Sequence, residues 1–208
     1  MISIHALVGI ATVAFGMVIS PGPNMIYLVS RTLTQGRRAG FISLLGVAAG
    51  FFVYMAATAA GISTIFALVP QLFTAIKIAG AAYLLWLAWQ AVRPGGQSVF
   101  TPRDLPADPP RKLFTMGLVT NLLNPKIAIL YISLLPQFVD PERGNVAAQS
   151  LILGLTQICV ALTINGVIVL TAGSVATFLT GRPLWLRVQR YLMGTILAGL
   201  ALSIAADR

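Results

Sequence analysis

Apolar residues in this chain come in long blocks, not in alternation. Six blocks, separated by proline, glycine or polar punctuation, cover residues 4–30, 40–68, 72–92, 113–139, a stretch within 147–178, and 184–205. Each is long enough for the ~20 residues that a helix needs to cross a bilayer. Alternating segments of about ten residues, the mark of a membrane β-barrel, are absent. The pattern predicts an all-α integral membrane protein with six transmembrane helices. It is read as a single domain over 1–208, with a first triplet over 4–92, a proline-rich loop over 93–111 and a second triplet over 113–205. No Lys or Arg precedes residues 2–19, so they are read as a retained first span and not as a signal peptide.

Composition removes the alternatives. Hydrophobic residues make up 57% of the chain and charged residues 9%, and mean hydropathy is +0.87. A soluble domain carries about 25% charge, so this chain can be neither soluble nor disordered. The net charge of +9 comes from 14 Lys plus Arg against five acids. Ten of the basic residues fall between spans one and two (Arg31, Arg37, Arg38), between three and four (Arg93, Arg103, Arg111, Lys112), and between five and six or at the start of six (Arg182, Arg187, Arg190). Six spans put all ten on one face, so the positive-inside rule predicts both termini outside. The charge then marks orientation and implies no nucleic-acid partner. One cysteine, Cys159, and one histidine, His5, exclude a thiol redox pair and a multi-histidine metal site. No GxSxG or HExxH motif points to an enzyme, and no cofactor or metal is expected.

Two blocks are interrupted by proline. Residues 4–19 make only ~24 Å of helix, against a hydrocarbon core of ~30 Å. The break Ser20-Pro21-Gly22-Pro23-Asn24 therefore falls within the membrane, where carbonyls that lose their partners need protein or water. The second break, Asn121-Leu122-Leu123-Asn124-Pro125-Lys126, lies near the middle of span four, and Pro125 is expected to free the carbonyl of Asn121. A charge at that depth costs at least ~2.5 kcal/mol. Spans one and four each open a triplet, the layout of a 3+3 inverted repeat whose broken helices form a site at the midplane.

These residues carry a resemblance. Ser20-Pro21-Gly22-Pro23-Asn24, Gly80-Ala81-Ala82-Tyr83-Leu84, and the span-four break followed by Leu135-Pro136-Gln137-Phe138 together resemble the LysE/RhtB family of bacterial amino-acid exporters, over nearly the whole chain. The resemblance implies export of amino acids or close derivatives across the bacterial inner membrane, with protons as the coupling ion, and leaves homo-oligomers open. Ser-Pro-Gly-Pro is nearer the homoserine/threonine branch than the lysine branch, which implies a neutral or hydroxylated cargo. Several members of that branch carry an acidic residue in span five. The matching position here is Ala161, with Gln157 and Asn165 one turn either side on the same face. No acid lies centrally in any span, so proton coupling through Lys126, through the substrate, or not at all stays open.

A zwitterionic amino acid needs donors for its carboxylate and acceptors for its ammonium. Backbone N–H groups at the helix restart after Pro23 offer the first, and freed carbonyls before Pro21 and Pro125 the second. Asn24, Asn121 and Asn124 offer both, or else cap the broken helices. Lys126 has three readings: it binds a carboxylate, titrates, or snorkels. Tyr83 faces the pathway or packs. Gly46-Val-Ala-Ala-Gly50 reads as close packing within the chain. Export of another small metabolite, or a non-transporting membrane subunit, is the competing function.

Overall fold

The computed structural model describes residues 2–20, 22–60 and 107–179, with isolated helical positions between 78 and 93 and between 184 and 202. Among the described residues there is no strand. The third and sixth expected spans fall largely on the remainder, so the six-span count and its inverted repeat, together with Pro21, Lys77 and Tyr83, lie outside the described residues.

Helix α1 (Ile4–Ile19) starts where the Ser3 hydroxyl accepts from the Ala6 N–H. It ends where the two prolines follow. Ser20 and Gly22, the residues before each proline, both take extended backbone, as the proline ring requires of its predecessor. Pro23 then opens helix α2 (Pro23–Ala59) at the position where a missing N–H costs nothing.

Helix α2 is not one rod. Gly36 adopts φ +83°, ψ 173°, a conformation open chiefly to glycine. The Ser43 hydroxyl donates to the Tyr27 oxygen at 3.1 Å, although sixteen residues of straight helix would hold them ~24 Å apart. The chain therefore folds back at Gly36 into two antiparallel arms. The first arm runs past the expected end of span one, and Arg31 is consequently a buried helical residue, 9% exposed, and not a loop residue.

Span four divides at its proline. Helix α3 (Pro110–Leu122) begins inside the stretch read as loop. Helix α4 (Pro125–Ile129) continues as a π-helical turn (Leu130–Leu134) and a 3-10 turn (Leu135–Phe138). The two halves are bent by 50°. After a 3-10 turn at Pro141–Arg143 and a glycine turn at Gly144, helix α5 (Val146–Leu179) runs the length of the fifth block.

Helices α2 and α5, and α3 with α4 as a bent pair, are long and apolar enough to cross a membrane. Large apolar side chains such as Leu45, Val53, Ile152 and Val167 point outward, which suits lipid but not water. Small residues let α2 press on α3. A β-carbon on Gly46 would overlap the Phe114 carbonyl oxygen, and one on Gly117 the Ser43 carbonyl oxygen. The GxxxG pattern is thus a seam within the chain. The arms of α2 also pack on α5, as does α1, so the broken end of α1 is held between α2, α4 and α5.

Candidate functional site

The first break leaves α1 with a problem of hydrogen bonding. In an uninterrupted helix the Met17 carbonyl would accept from residue 21, but Pro21 has no N–H. The structure supplies other donors. The Ser20 hydroxyl donates to the Met17 carbonyl at 3.0 Å. The Lys126 ammonium donates to the Met17 carbonyl, to the Ser20 carbonyl at 2.7 Å and to the Ser20 hydroxyl oxygen at 3.0 Å. Lys126 therefore neither snorkels nor waits free in the pathway. It is 4% exposed and closes the negative end of the α1 dipole. Gly22 makes room for it, since a β-carbon there would lie 3.3 Å from the Lys126 nitrogen.

The second break is repaired differently. The Lys126 N–H is drawn to the Asn124 Oδ1 at 3.1 Å, so Asn124 caps α4. The Leu122 carbonyl, which would have served Lys126 in a continuous helix, instead accepts from the Tyr54 hydroxyl at 2.7 Å. The carbonyl of Asn121, expected to be free, accepts from the Asn124 N–H at 3.1 Å. That corrects the expectation: a one-residue tightening of the turn replaces the bond that Pro125 cannot make.

A small cavity, partly open at its mouth, lies between the two breaks. Its polar lining is Ser20, Gly22, Asn24, Asn124, Lys126, Gln157 and Asn165. Its apolar lining is Ala14, Met17, Val18, Met25, Phe51, Ile127 and Leu130. Seven of the twelve residues singled out in the sequence thus meet at one place. Pro23 and Pro125 shape it as the first residues of α2 and α4. Asn121 is fully buried against Gly50 and is not part of the lining. Pro21 and Tyr83 lie outside the described residues.

Several polar groups here have no protein partner. They are the Asn24 Oδ1, the Asn124 Nδ2 and both amide atoms of Asn121. Burying such a group without a bond costs roughly 1–3 kcal/mol, and buried polar groups are normally satisfied. The N-terminus of α2 also lacks a side-chain cap. Of the three asparagines, Asn124 caps a helix with its oxygen, and its nitrogen is left over.

Two residues that the sequence reading passed over support this wall. Tyr131, fully buried, donates to the Gln157 Oε1 at 2.6 Å and stacks on Tyr54 with ring centres 5.5 Å apart. Tyr131 carried a signal, being a polar-tipped residue inside an apolar block five positions after Lys126. Tyr54 carried none. Asn165 turns its Nδ2 back onto the Ala161 carbonyl at 2.8 Å.

One helical heptad along α2 from Asn24 there is a second polar cluster. Arg31 pairs with Asp108 at 2.6 Å and lies over the Tyr27 ring, 5.8 Å from its centre. Lys112 approaches the other Asp108 oxygen at 2.7 Å, and the Asp108 N–H donates to Gln35 at 2.9 Å. The Lys112 hydrogen bond, with Arg31 adding to it, holds the Asp108 carboxyl below its usual value near 3.8. Nothing in the sequence marks this end of the proline-rich loop as a polar cluster. The Tyr27 hydroxyl fastens the same corner by donating to the Leu113 carbonyl at 2.6 Å.

The family model described as LysE type translocator matches residues 15–208. The chain belongs to that family. The translocator is similar to the leucine efflux protein of Klebsiella pneumoniae, 27% identical over 193 residues, which cover 91% of this chain and 89% of the relative. It is 33% identical over 159 residues to the uncharacterized membrane protein YrhP of Bacillus subtilis, covering 72% of this chain and 74% of that one. Over 141 residues it is 32% identical to the uncharacterized membrane protein YahN of Escherichia coli, covering 67% and 62%. No solved structure matches. Membership makes the chain a membrane translocator of an amino-acid export family and not, at the level of the family, an enzyme.

Proposed function

We propose that this translocator is a secondary transporter that exports neutral amino acids from the cytoplasm across the bacterial inner membrane. It does so through six spans in a 3+3 inverted repeat with both termini outside, using the proton motive force. The observation that carries the reading is the cavity between the two breaks. It is lined by Lys126 with its buried ammonium, by Asn24 and Asn124, which carry an unpartnered amide oxygen and an unpartnered amide nitrogen, and by Gly22 at the uncapped N-terminus of α2. That mixture suits a zwitterion, which brings one charge of each sign, better than it suits a metal ion or an apolar metabolite.

The remaining wall is aliphatic apart from Phe51 and the two methionines. It favours an aliphatic side chain, in line with the relatives named leucine efflux protein, over the hydroxyl of homoserine or threonine. Ser20, the one hydroxyl in the lining, is already bonded to the Met17 carbonyl.

The test is efflux from cells that overproduce the protein. They are loaded with labelled leucine, homoserine, threonine and lysine in turn, with and without a proton uncoupler. Leucine should leave fastest, lysine should not leave faster than from control cells, and the uncoupler should stop the flux. No faster loss of any amino acid would overturn the reading, and flux indifferent to the uncoupler would overturn proton coupling.

A further inference from the structure

Lys126 stands where a substrate's cation would bind. Its ammonium is held by the Met17 carbonyl, the Ser20 carbonyl and the Ser20 hydroxyl oxygen. Three oxygens match the three donors of a primary ammonium. They also sit at the C-terminal end of α1, where the helix dipole is negative. None of these oxygens belongs to a carboxylate, so Lys126 has no fixed counter-ion there and is held only by dipoles. Beside it are an acceptor and a donor without partners, the Asn24 Oδ1 and the Asn124 Nδ2, on residues 7% and 1% exposed. Both residues line the same cavity as Lys126. The uncapped N-terminus of α2 contributes Gly22 and Asn24 to the same lining, and its dipole is positive.

We propose that the broken end of α1 is a subsite for primary ammonium groups whose built-in occupant is the Lys126 side chain, and that a substrate's ammonium displaces it. The displaced Lys126 ammonium moves to the substrate's carboxylate, for which the α2 N-terminus and the Asn124 amide nitrogen are further donors in the same lining. This second half rests on the amino-acid-export reading, whereas the first half needs only a primary amine. The charges balance at each stage. Lys126 alone gives the cavity one positive charge, and a neutral zwitterion leaves that charge unchanged. After the exchange the substrate ammonium holds the carbonyls and Lys126 holds the carboxylate, so neither buried cation is left without acceptors. The exchange explains how a transporter of zwitterions can work with no acidic side chain among the described residues that line this cavity. The job of counter-ion passes to the end of α1, and the job of resident cation to Lys126.

Binding to the purified protein in lipid nanodiscs tests it, with propylammonium and propionate as probes of each half-site. Lys126→Met vacates the three oxygens, so propylammonium should bind that variant at least about tenfold more tightly than wild type. Propionate should gain nothing. A second measurement needs no variant to fold. The chain has three lysines, Lys77, Lys112 and Lys126, so protein labelled with ¹⁵N at the lysine side chain gives three side-chain signals. The Lys126 signal, assigned from its loss in the variant or by its lack of exchange with water, should move when propylammonium is added to wild type. A folded Lys126→Met protein that binds propylammonium no better than wild type would overturn the proposal. So would a Lys126 signal that stays fixed at saturating amine. Failure of efflux for every amino acid, with amine binding as expected, would instead remove the export reading and leave the ammonium subsite standing.

Discussion

A lysine at the middle of a membrane helix needs a reason to be there, and Lys126 has one that is structural as well as functional. It supplies the donor that Pro21 cannot, so the two breaks are a single construction, with the residue after Pro125 closing the gap opened by Pro21. Substitution by methionine keeps the length of the side chain and deletes the charge. Two effects on stability then oppose each other. The Ser20 carbonyl loses its Lys126 donor, at roughly 1–3 kcal/mol, while the Met17 carbonyl keeps the Ser20 hydroxyl. The protein no longer buries a cation at bilayer depth, which is a relief of at least ~2.5 kcal/mol. Lys126→Met should therefore melt in detergent within a few degrees of wild type while export falls to the level of cells lacking the protein. Wild-type efflux from a folded Lys126→Met protein would remove Lys126 from the site. A melt lowered by tens of degrees would show its role to be mainly structural.

At the scale of the element, α2 and α3 meet backbone to backbone, and glycine is what allows it. Gly46 lies over the Phe114 carbonyl and Gly50 over the Asn121 side chain. A backbone oxygen cannot swing aside as a side-chain end can, so Gly46→Leu should cost more than the ~1–3 kcal/mol typical of overpacking. A β-carbon on Gly166, in α5, meets nothing within 4 Å, so Gly166→Leu should be tolerated and serves as the control in the same thermal-stability assay. Equal melting of the two variants would mean that the seam does not hold the helices. The breaks that position the site were legible in the sequence, because proline removes a specific donor and the chain must stop its ladder there. The seam was legible as a GxxxG pattern. The fold-back at Gly36 was not, since one glycine among polar residues does not say that it will take a positive φ. Nor was the identity of the donor that repairs α1. The partner of Lys126 lies 106 to 109 residues away, and residue types do not encode which freed carbonyl meets which donor.

Over the whole molecule the scarcity of acids gives each one weight. Asp108, on the short segment leading into α3, gathers Arg31 from α2 and Lys112 from α3, with its side chain only 4% exposed. Composition could place it in a basic loop but could not pair it with Arg31, which looked like one more orientation charge. Its carboxyl is held below the usual value near 3.8, first by the Lys112 hydrogen bond and then by Arg31. For a carboxylate with a depressed value in the folded state, the unfolded chain binds the proton more readily. The contribution to stability is therefore complete above about pH 3.8 and disappears as pH falls through the lower folded value. Asp108→Asn deletes the charge and leaves Arg31 buried against a neutral amide, so the variant should melt below wild type at pH 7. The two melts should draw together as pH falls below about 3.8 and meet once it has passed the lower folded value, where wild-type Asp108 itself becomes neutral. The exposed Asp140–Arg143 pair, 2.8 Å apart with side chains 45% and 55% exposed, is the internal comparison. Exposed pairs contribute about 0–1 kcal/mol, so Asp140→Asn should change the melt little at either pH. A gap between wild type and Asp108→Asn that stays constant from pH 7 to pH 3 would mean that the carboxylate's charge does not secure the segment. The hydrogen bond from the Asp108 backbone to Gln35 would then be what ties α3 to the turn of α2.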